Sequence, residues 1–147
     1  MGTLDVARFI ATWCTSIFAG ACIYITLVEH PVRAGLDTRS AIAQWAPSYA
    51  RATLMQAPLA VISFVAAGAA WFLGGGVVWL VGAVLIGAVV PFTLLVIMRT
   101  NRALLAPNRD RASPEARALL SAWGKLHAVR TVLGVAASAL MLWRLLQ

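Results

Sequence analysis

The sequence predicts an all-α integral membrane protein built as a four-helix bundle, and three observations support that prediction. The chain of 147 residues is 61% hydrophobic and only 12% charged, whereas a soluble domain carries about 25% charged residues. Its apolar residues fall into four runs that are long enough to cross the hydrocarbon core of a bilayer. The short segments between these runs hold most of the arginines, which is typical of the loops of multi-pass membrane proteins.

The apolar runs define the predicted membrane spans, which lie at residues 6–28, 51–73, 77–98 and 118–146. The first span should end at His30, because Pro31 disfavours helical geometry in the residue before it. A loop, with or without a short amphipathic helix, is then expected over residues 32–49. A tight turn is expected at Gly74-Gly75-Gly76 and a helix start at Ser113-Pro114. Because the connections are short, consecutive spans should run antiparallel, up and down, in one domain of residues 1–147.

The basic residues predict the orientation of the chain. Those in and beside the first and third loops are Arg33, Arg39, Arg51, Arg99, Arg102, Arg109, Arg111, Arg117 and Lys125. On the opposite side only Arg8 and Arg144 remain. Since basic loops stay in the cytoplasm, both termini should lie on the non-cytoplasmic side of the cell membrane. Trp71, Trp79 and Trp143 would then form an aromatic belt at the outer interface.

The net charge of +7 is explained by these loops. The sequence has no basic stripe with interleaved aromatic residues in a soluble segment, so nucleic acid is not an expected partner. The expected partners are membrane lipid, a lipophilic small molecule and further copies of the chain, because four spans form only a narrow bundle. Cys14 and Cys22 lie in one apolar run and are interpreted as packing residues.

With this orientation, polar residues from all four spans meet at the cytoplasmic end of the bundle. They are Glu29, His30, Tyr49, Arg51, Gln56, Asn101, Trp123, His127 and Arg130. Trp123, His127 and Arg130 share one helix face, at spacings of four and three residues. Arg130 is predicted to face the bundle and to pair with Glu29, although it can also extend to lipid phosphates. The sequence therefore places a candidate site at this end.

A metal is one interpretation of these residues. Glu29, His30 and His127 supply one carboxylate and two imidazoles, a set that suits non-haem iron or copper. Against it, adjacent helical residues diverge by about 100°, and the sequence has no His-x-x-x-His or Cys–His spacing. The cofactor prediction stays open between no cofactor and a non-haem transition metal, iron or copper.

Two short motifs resemble the anthrone oxygenase-like family of small four-span membrane proteins. The first is Asn101-Arg102-Ala103-Leu104, after the third span. The second is Leu126-His127-Ala128-Val129-Arg130-Thr131, where the family has Trp-Asn-His-Val-Arg-Thr. Arg130 and Thr131 match, while the histidine falls one position early.

The resemblance implies oxygenation of an anthrone to an anthraquinone. Such a reaction needs a base, a cation beside the developing oxyanion and a dry pocket. His127 is then the candidate base, and Arg130 and Asn101 hold the oxyanion beside Glu29. The candidate substrate-binding residues are Trp123, Tyr24, Phe18, Arg51 and Tyr49.

Three functions remain open from the sequence. The first is a membrane oxidoreductase that acts on a flat, lipophilic, phenolic substrate. The second is a non-enzymatic assembly or ligand-binding protein whose polar end is structural. The third is a small transporter unit, for which a polar path through the outer half of the bundle is missing from the sequence pattern.

Overall fold

Residues 2–147, which the computed structural model describes, form four long helices that correspond to the four apolar runs. The helices are α1 (Thr3–Ala34), α2 (Thr38–Gly75), α3 (Val77–Leu105) and α4 (Pro114–Leu145). Each is long and apolar enough to cross a membrane. The prediction of an all-α protein with four span-length helices is therefore confirmed.

The first helix does not end at His30, so that prediction is wrong. The N–H of His30 donates to the carbonyl of Ile25, five residues back, and residues Ile25–Glu29 form a π-helical turn. Pro31 has no N–H to give and its ring needs space, and a widened turn just before it accommodates both. The helix then continues through Ala34, which places Arg33 one turn beyond Glu29.

The loop predicted over residues 32–49 is also wrong. Within this range only residues 35–37, between α1 and α2, are not helical. Asp37 caps α2, its carboxylate accepting a hydrogen bond from the Ser40 N–H at 3.0 Å. Arg117 of α4 holds this connection by donating to the carbonyls of Ala34 (3.0 Å) and Leu36 (2.5 Å). Most of the residues that the sequence assigns to this loop, 32–34 and 38–49, are therefore part of α1 and α2.

The other two connections follow the sequence prediction. Gly74 and Gly76 have φ angles of 86° and 98°, a region of backbone conformation that glycine enters without steric cost. At the start of α4 the Ser113 hydroxyl accepts a hydrogen bond from the Ala116 N–H at 3.2 Å, with Pro114 in the first turn. The tight glycine turn and the serine cap are both confirmed.

Helix α1 lies between α2 and α4, and its contacts run antiparallel to both. Early in α1, the carbonyl of Ala11 accepts a hydrogen bond from Ser63, late in α2, at 3.0 Å. Late in α1, Glu29 accepts one from Gln44, early in α2, at 3.1 Å. Toward α4, Ser16 meets Ser138 at 3.0 Å and Thr26 meets Thr131 at 2.7 Å. Hydroxyl pairs of this kind join helices where the solvent cannot satisfy them.

One member of the predicted aromatic belt lies elsewhere. Trp79 is 0% exposed and packs inside the bundle, with the Arg8 guanidinium 5.9 Å from its ring. Trp71 and Trp143 are 45% and 52% exposed on the surface. The belt as predicted is therefore wrong for Trp79, because small alanines around it leave room for an indole in the core.

Candidate functional site

Side chains from α1, α2 and α4 enclose a small cavity near the end of the bundle where α1 and α2 connect. Its volume is about 10 Å³, which is room for one water molecule. Its lining residues are Ile25, Arg33, Trp45, Ser48, Tyr49, Ala52, Thr53, Gln56, Trp123, His127 and Arg130. This cavity is thus lined by four of the site residues predicted from the sequence: Tyr49, Trp123, His127 and Arg130.

A chain of hydroxyl groups determines how the His127 ring is held. The single hydroxyl proton of Thr131 has two acceptors, the carbonyls of His127 (3.2 Å) and Cys22 (3.3 Å). The hydroxyl oxygens of Thr26 and Thr131 lie 2.7 Å apart, and Thr26 lies 3.2 Å from His127 Nδ1. Because the Thr131 proton goes to a carbonyl, we infer that Thr26 donates to Thr131 and accepts the Nδ1–H of His127. With the proton on Nδ1, the Nε2 atom of His127 carries a free lone pair. This atom is buried and has no partner.

Arg130 reaches inward and contacts α2. Its Nη2 donates to the Gln56 side-chain oxygen at 2.8 Å, and its guanidinium lies 5.6 Å from the centre of the Phe18 ring. Within residues 2–147 no carboxylate lies within salt-bridge distance of Arg130. The predicted Glu29–Arg130 pair is wrong, and the arginine contributes a positive charge that is not neutralised by a carboxylate.

Glu29 pairs with Arg33 instead, at 2.5 Å. The same carboxylate oxygen also accepts from Ser48 at 2.5 Å and from Gln44 at 3.1 Å. Arg33 is 2% exposed, and burying an ionised group is costly unless it is paired and hydrogen-bonded in this way. Glu29 therefore neutralises Arg33 and holds the end of α1 against α2.

Trp123 is the centre of an aromatic cluster on one side of the cavity. The rings of His127 and His30 lie 5.0 Å and 5.4 Å from it, and Trp45 meets it edge-on at 5.8 Å. The Arg33 guanidinium lies 5.7 Å from its centre. These contacts fix the wall of the cavity, since aromatic and cation–π pairs prefer defined geometries.

The cavity lining is rich in nitrogen atoms that are buried and have no hydrogen-bond partner. They are Arg33 Nη1, Trp45 Nε1, Gln56 Nε2, His127 Nε2 and Arg130 Nε. Leaving one such group unsatisfied costs about 1–3 kcal/mol. Native proteins keep few of them, so a concentration around one cavity indicates a place where a polar ligand binds.

A second, larger pocket adjoins this cavity between α2 and α3. Its volume is about 130 Å³, close to the roughly 150 Å³ of an apolar cavity that binds benzene. Tyr49, Thr53, Gln56 and Arg130 line both spaces, and the remaining residues of the pocket are mostly apolar: Ala57, Ala60, Val89, Val90, Thr93, Leu94 and Met98. The Arg130–Gln56 pair thus stands between a ring-sized apolar pocket and a polar cavity.

Three predicted site residues lie apart from this arrangement. Tyr24 and Arg51 line a groove of about 330 Å³ between α1 and α2 and not the cavity itself, and Tyr24 is 58% exposed. Asn101 is 1% exposed, neither atom of its amide has a partner, and it lines neither the cavity nor the ring-sized pocket. The structure therefore does not bring these side chains together with His127.

The predicted metal ligands do not form a metal site. Among the side chains of residues 2–147 no three His, Cys, Asp or Glu groups lie close enough to hold one ion. The bound oxygen of Glu29 is occupied by three donors. Trp123 stacks on His127 and packs at a tilt against His30. The residues present do not fit an iron or copper centre.

The sequence interpretation missed Arg33, Trp45 and Thr26, and it did not select Gln56 as a site residue. Arg33 and Trp45 were placed in a loop because Pro31 was expected to end the first helix. The available signal was the Glu29–Arg33 spacing of four residues, which forms an ion pair on a continuous helix. A glutamine inside an apolar run was a comparable signal, since a buried amide needs a partner.

The anthrone oxygenase family model matches residues 45–140, which is roughly two thirds of the chain. This chain belongs to the anthrone oxygenase family. No match was found to a curated protein or to a solved structure. The matched region contains every lining residue of the ring-sized pocket and all those of the cavity except Ile25 and Arg33.

Proposed function

We propose that this protein is a membrane oxygenase that converts the activated methylene group of a flat, phenolic, lipophilic substrate into a ketone. The observation that supports it best is the Arg130–Gln56 pair between a ring-sized apolar pocket and a polar cavity. Membership of the anthrone oxygenase family supports the same reaction class. An anthrone is the type of substrate that fits both observations.

The overall reaction needs no added reductant. A methylene group becomes a carbonyl by losing two hydrogens and gaining one oxygen atom. The second oxygen atom of dioxygen leaves as water with those hydrogens. The substrate itself supplies all four electrons, so the protein has to remove a proton, stabilise an anion and exclude water.

In this proposal one ring of the substrate occupies the pocket between α2 and α3, and the substrate oxygen faces Arg130. Removing a methylene proton turns the anthrone into a phenolate-like anion with its charge on that oxygen. Arg130 and the Gln56 amide donate to it, as preorganised donors do at other developing oxyanions. The rest of the pocket is apolar and keeps solvent away from the reactive anion.

His127 is the base. Its Nε2 atom is buried without a hydrogen-bond partner, and it carries the lone pair when Thr26 accepts the other ring N–H. A general base acts within hydrogen-bond reach of the proton or through one water molecule, and the cavity has room for one. The imidazolium that forms adds a second positive charge beside Arg130.

Entry from the lipid follows from the position of the pocket. Leu94 at its edge is 59% exposed on the surface of the bundle, so an apolar substrate can pass between α2 and α3 without crossing water. With basic loops in the cytoplasm, the site lies at the cytoplasmic end and both termini lie outside. Assembly into a homo-oligomer stays a prediction.

Turnover of an anthrone by purified protein in lipid nanodiscs tests the proposal. We expect quinone formation and dioxygen consumption in equal amounts, well above the rate in empty nanodiscs. His127→Ala should lower kcat by about 10²–10⁴-fold, and Arg130→Gln by about 10²–10³-fold. Arg102→Gln, at an exposed arginine near the end of α3, is the matched control and should keep wild-type turnover.

Two results would contradict the proposal. One is oxidation of the anthrone at the rate of empty nanodiscs. The other is full turnover by both variants, which would assign His127 and Arg130 to structure alone. Thermal unfolding of each variant in the same nanodiscs separates lost activity from lost folding.

A further inference from the structure

The cavity lined by His127 and Arg130 combines a positive charge with a lining rich in hydrogen-bond donors. Four of its five unpartnered nitrogen atoms are donors, on Arg33, Trp45, Gln56 and Arg130. The fifth is the His127 Nε2 atom, which becomes a donor once it takes a proton. A cavity lined by residues with free donors attracts an anion and repels a metal cation.

The net charge around the cavity is also positive. Glu29 neutralises Arg33 at 2.5 Å, and this carboxylate is not among the lining residues. Arg130 has no carboxylate within salt-bridge distance in the described chain, residues 2–147. One positive charge therefore remains at the cavity, and it is largely withdrawn from solvent.

The size of the cavity limits the anion. A volume of about 10 Å³ accepts one water-sized particle, such as a halide ion or a diatomic molecule. A phosphate, a carboxylate group or a ring needs more space and is excluded. The ligand class is therefore a small monovalent anion.

We propose that this cavity is a binding site for a small monovalent anion, and that during turnover the anion is superoxide formed from dioxygen. The second half rests on the proposed oxygenase function, whereas the first half does not. The substrate anion in the neighbouring pocket gives one electron to dioxygen, leaving a substrate radical and superoxide. Donors from Trp45, Gln56 and Arg130 stabilise the superoxide beside the radical.

The later steps balance without another reagent. The substrate radical and superoxide combine, forming one C–O bond and a peroxide anion, which takes the proton held by His127. Loss of the second methylene proton, with cleavage of the O–O bond, gives the ketone and hydroxide. The released proton and the hydroxide make water.

Chloride binding tests the site without reference to turnover. The probe is chloride itself, followed by the broadening of its NMR signal on detergent-solubilised protein at constant ionic strength. Arg130→Gln removes the free charge, and Gln56→Glu places a carboxylate beside Arg130 with little change in volume. Each variant should weaken chloride binding by at least about tenfold, since hydrogen bonds to charged groups contribute about 1.5–3 kcal/mol. Arg102→Gln is the control and should bind like the wild type.

Steady-state kinetics distinguish superoxide from a substrate oxygen atom. If the cavity holds superoxide, chloride should compete with dioxygen and not with the anthrone. Competition with the anthrone alone would overturn the superoxide assignment. Chloride binding that is unchanged in both Arg130→Gln and Gln56→Glu would overturn the site itself. Chloride binding by a protein that does not oxidise anthrones would leave the anion site in place and reject the proposed function.

Discussion

At the scale of single residues, we expect the hydroxyl of Thr131 to set the tautomer of the proposed base. It lies 2.7 Å from the Thr26 hydroxyl, which lies 3.2 Å from His127 Nδ1; in the inferred network Thr131 accepts from Thr26, and Thr26 accepts the Nδ1–H. Thr131→Val keeps the shape of the side chain and removes this hydroxyl. Thr26 is then free to donate to Nδ1, and the proton of His127 shifts to Nε2, where it blocks the base. We expect kcat to fall by roughly tenfold, a part of what a general base contributes.

Nitrogen NMR of labelled histidine provides the measurement that a purely structural role would not change. The wild type should show a protonated Nδ1 and a bare Nε2 at His127, and the Thr131→Val protein should show a mixture of both forms. Thr100→Val is the control, since no hydrogen bond joins Thr100 to His127 within residues 2–147, and it should leave the spectrum unchanged. An identical His127 spectrum in wild type and Thr131→Val would contradict the prediction.

A second residue-scale prediction concerns Asp37, which caps α2 outside the membrane-spanning helices. Hydrogen bonds from the side chain and backbone of Ser40 lower the pKa of this carboxyl group. A lowered folded-state pKa means that the stabilisation is complete above the ordinary aspartate value of about 3.9. It is lost as the pH falls through the lowered value. In acid, the start of α2 should therefore open more readily.

Asp37→Asn isolates this effect, because asparagine also caps helices but has no carboxyl group to titrate. Hydrogen exchange of residues 38–41 is measured for both proteins at neutral and acidic pH. The ratio of wild-type to variant exchange should rise in acid, since only the wild type loses a charged cap. A ratio that does not change with pH would show that the carboxylate charge has no part in the cap.

At the scale of helices, α1 and α4 approach closely where His30 meets Gly124. A methyl group at position 124 would lie 2.6 Å from Cδ2 of His30 and 3.0 Å from its Cε1. Gly124→Ala should therefore push the imidazole away from Trp123 and lower the free energy of unfolding by about 1–3 kcal/mol. The measurement is a denaturant titration in detergent micelles.

The double variant separates this clash from the helix propensity of alanine. In a His30→Ala background, Gly124→Ala should cost nothing, or stabilise by up to about 1 kcal/mol, because alanine favours a helix interior over glycine. Gly20→Ala is a control without the second substitution, since nothing lies within 4 Å of its added methyl group. Equal destabilisation by Gly124→Ala in both backgrounds would exclude His30 as the cause.

The helix ends show which parts of the fold the sequence can predict. Gly74-Gly75-Gly76 and Ser113-Pro114 act through their own backbone and side-chain chemistry, so local rules identify both turns. The same local rules fail at Pro31, where they predict a helix end that the structure does not have. The effect of Pro31 depends on whether the preceding turn can widen, and the Ile25–Glu29 π turn does so while α1 packs on α2. Tertiary packing of this kind is not visible in local sequence.

The sequence predicts where the candidate site lies better than it predicts which charged side chains pair there. Apolar periodicity and the polar residues at one end of each span brought His127, Arg130, Trp123 and Tyr49 together correctly. The partner of Arg130 was wrong, because Glu29 was judged the only available charge while Arg33 was assigned to a loop. Partner choice depends on which side chains share a helix face, and one misplaced helix end changes that choice.

At the scale of the whole molecule, the loop arginines predict which way the bundle lies in the membrane. Arg109 and Arg111 lie in the connection between α3 and α4, whereas the α2–α3 turn has no charge. Positive loops remain in the cytoplasm, so a cysteine introduced at Asn108 should react with an impermeant maleimide only from that side. One introduced at Gly2 should react only from the opposite side. Cys14 and Cys22 are buried and are replaced by alanine for this experiment.

Variants with fewer basic residues at the end of α3 and in the α3–α4 connection test whether the arginines set this orientation. Replacing Arg102, Arg109 and Arg111 by asparagine removes much of the asymmetry between the two sides, and part of the population should then insert in the opposite direction. In that fraction the Asn108 position reacts from outside and the Gly2 position from inside. If the triple variant keeps the labelling pattern of the wild type, features other than the arginines orient the bundle. If the cysteine at position 2 reacts from the cytoplasm in the protein that keeps its loop arginines, the site lies at the opposite end of the membrane from the one proposed.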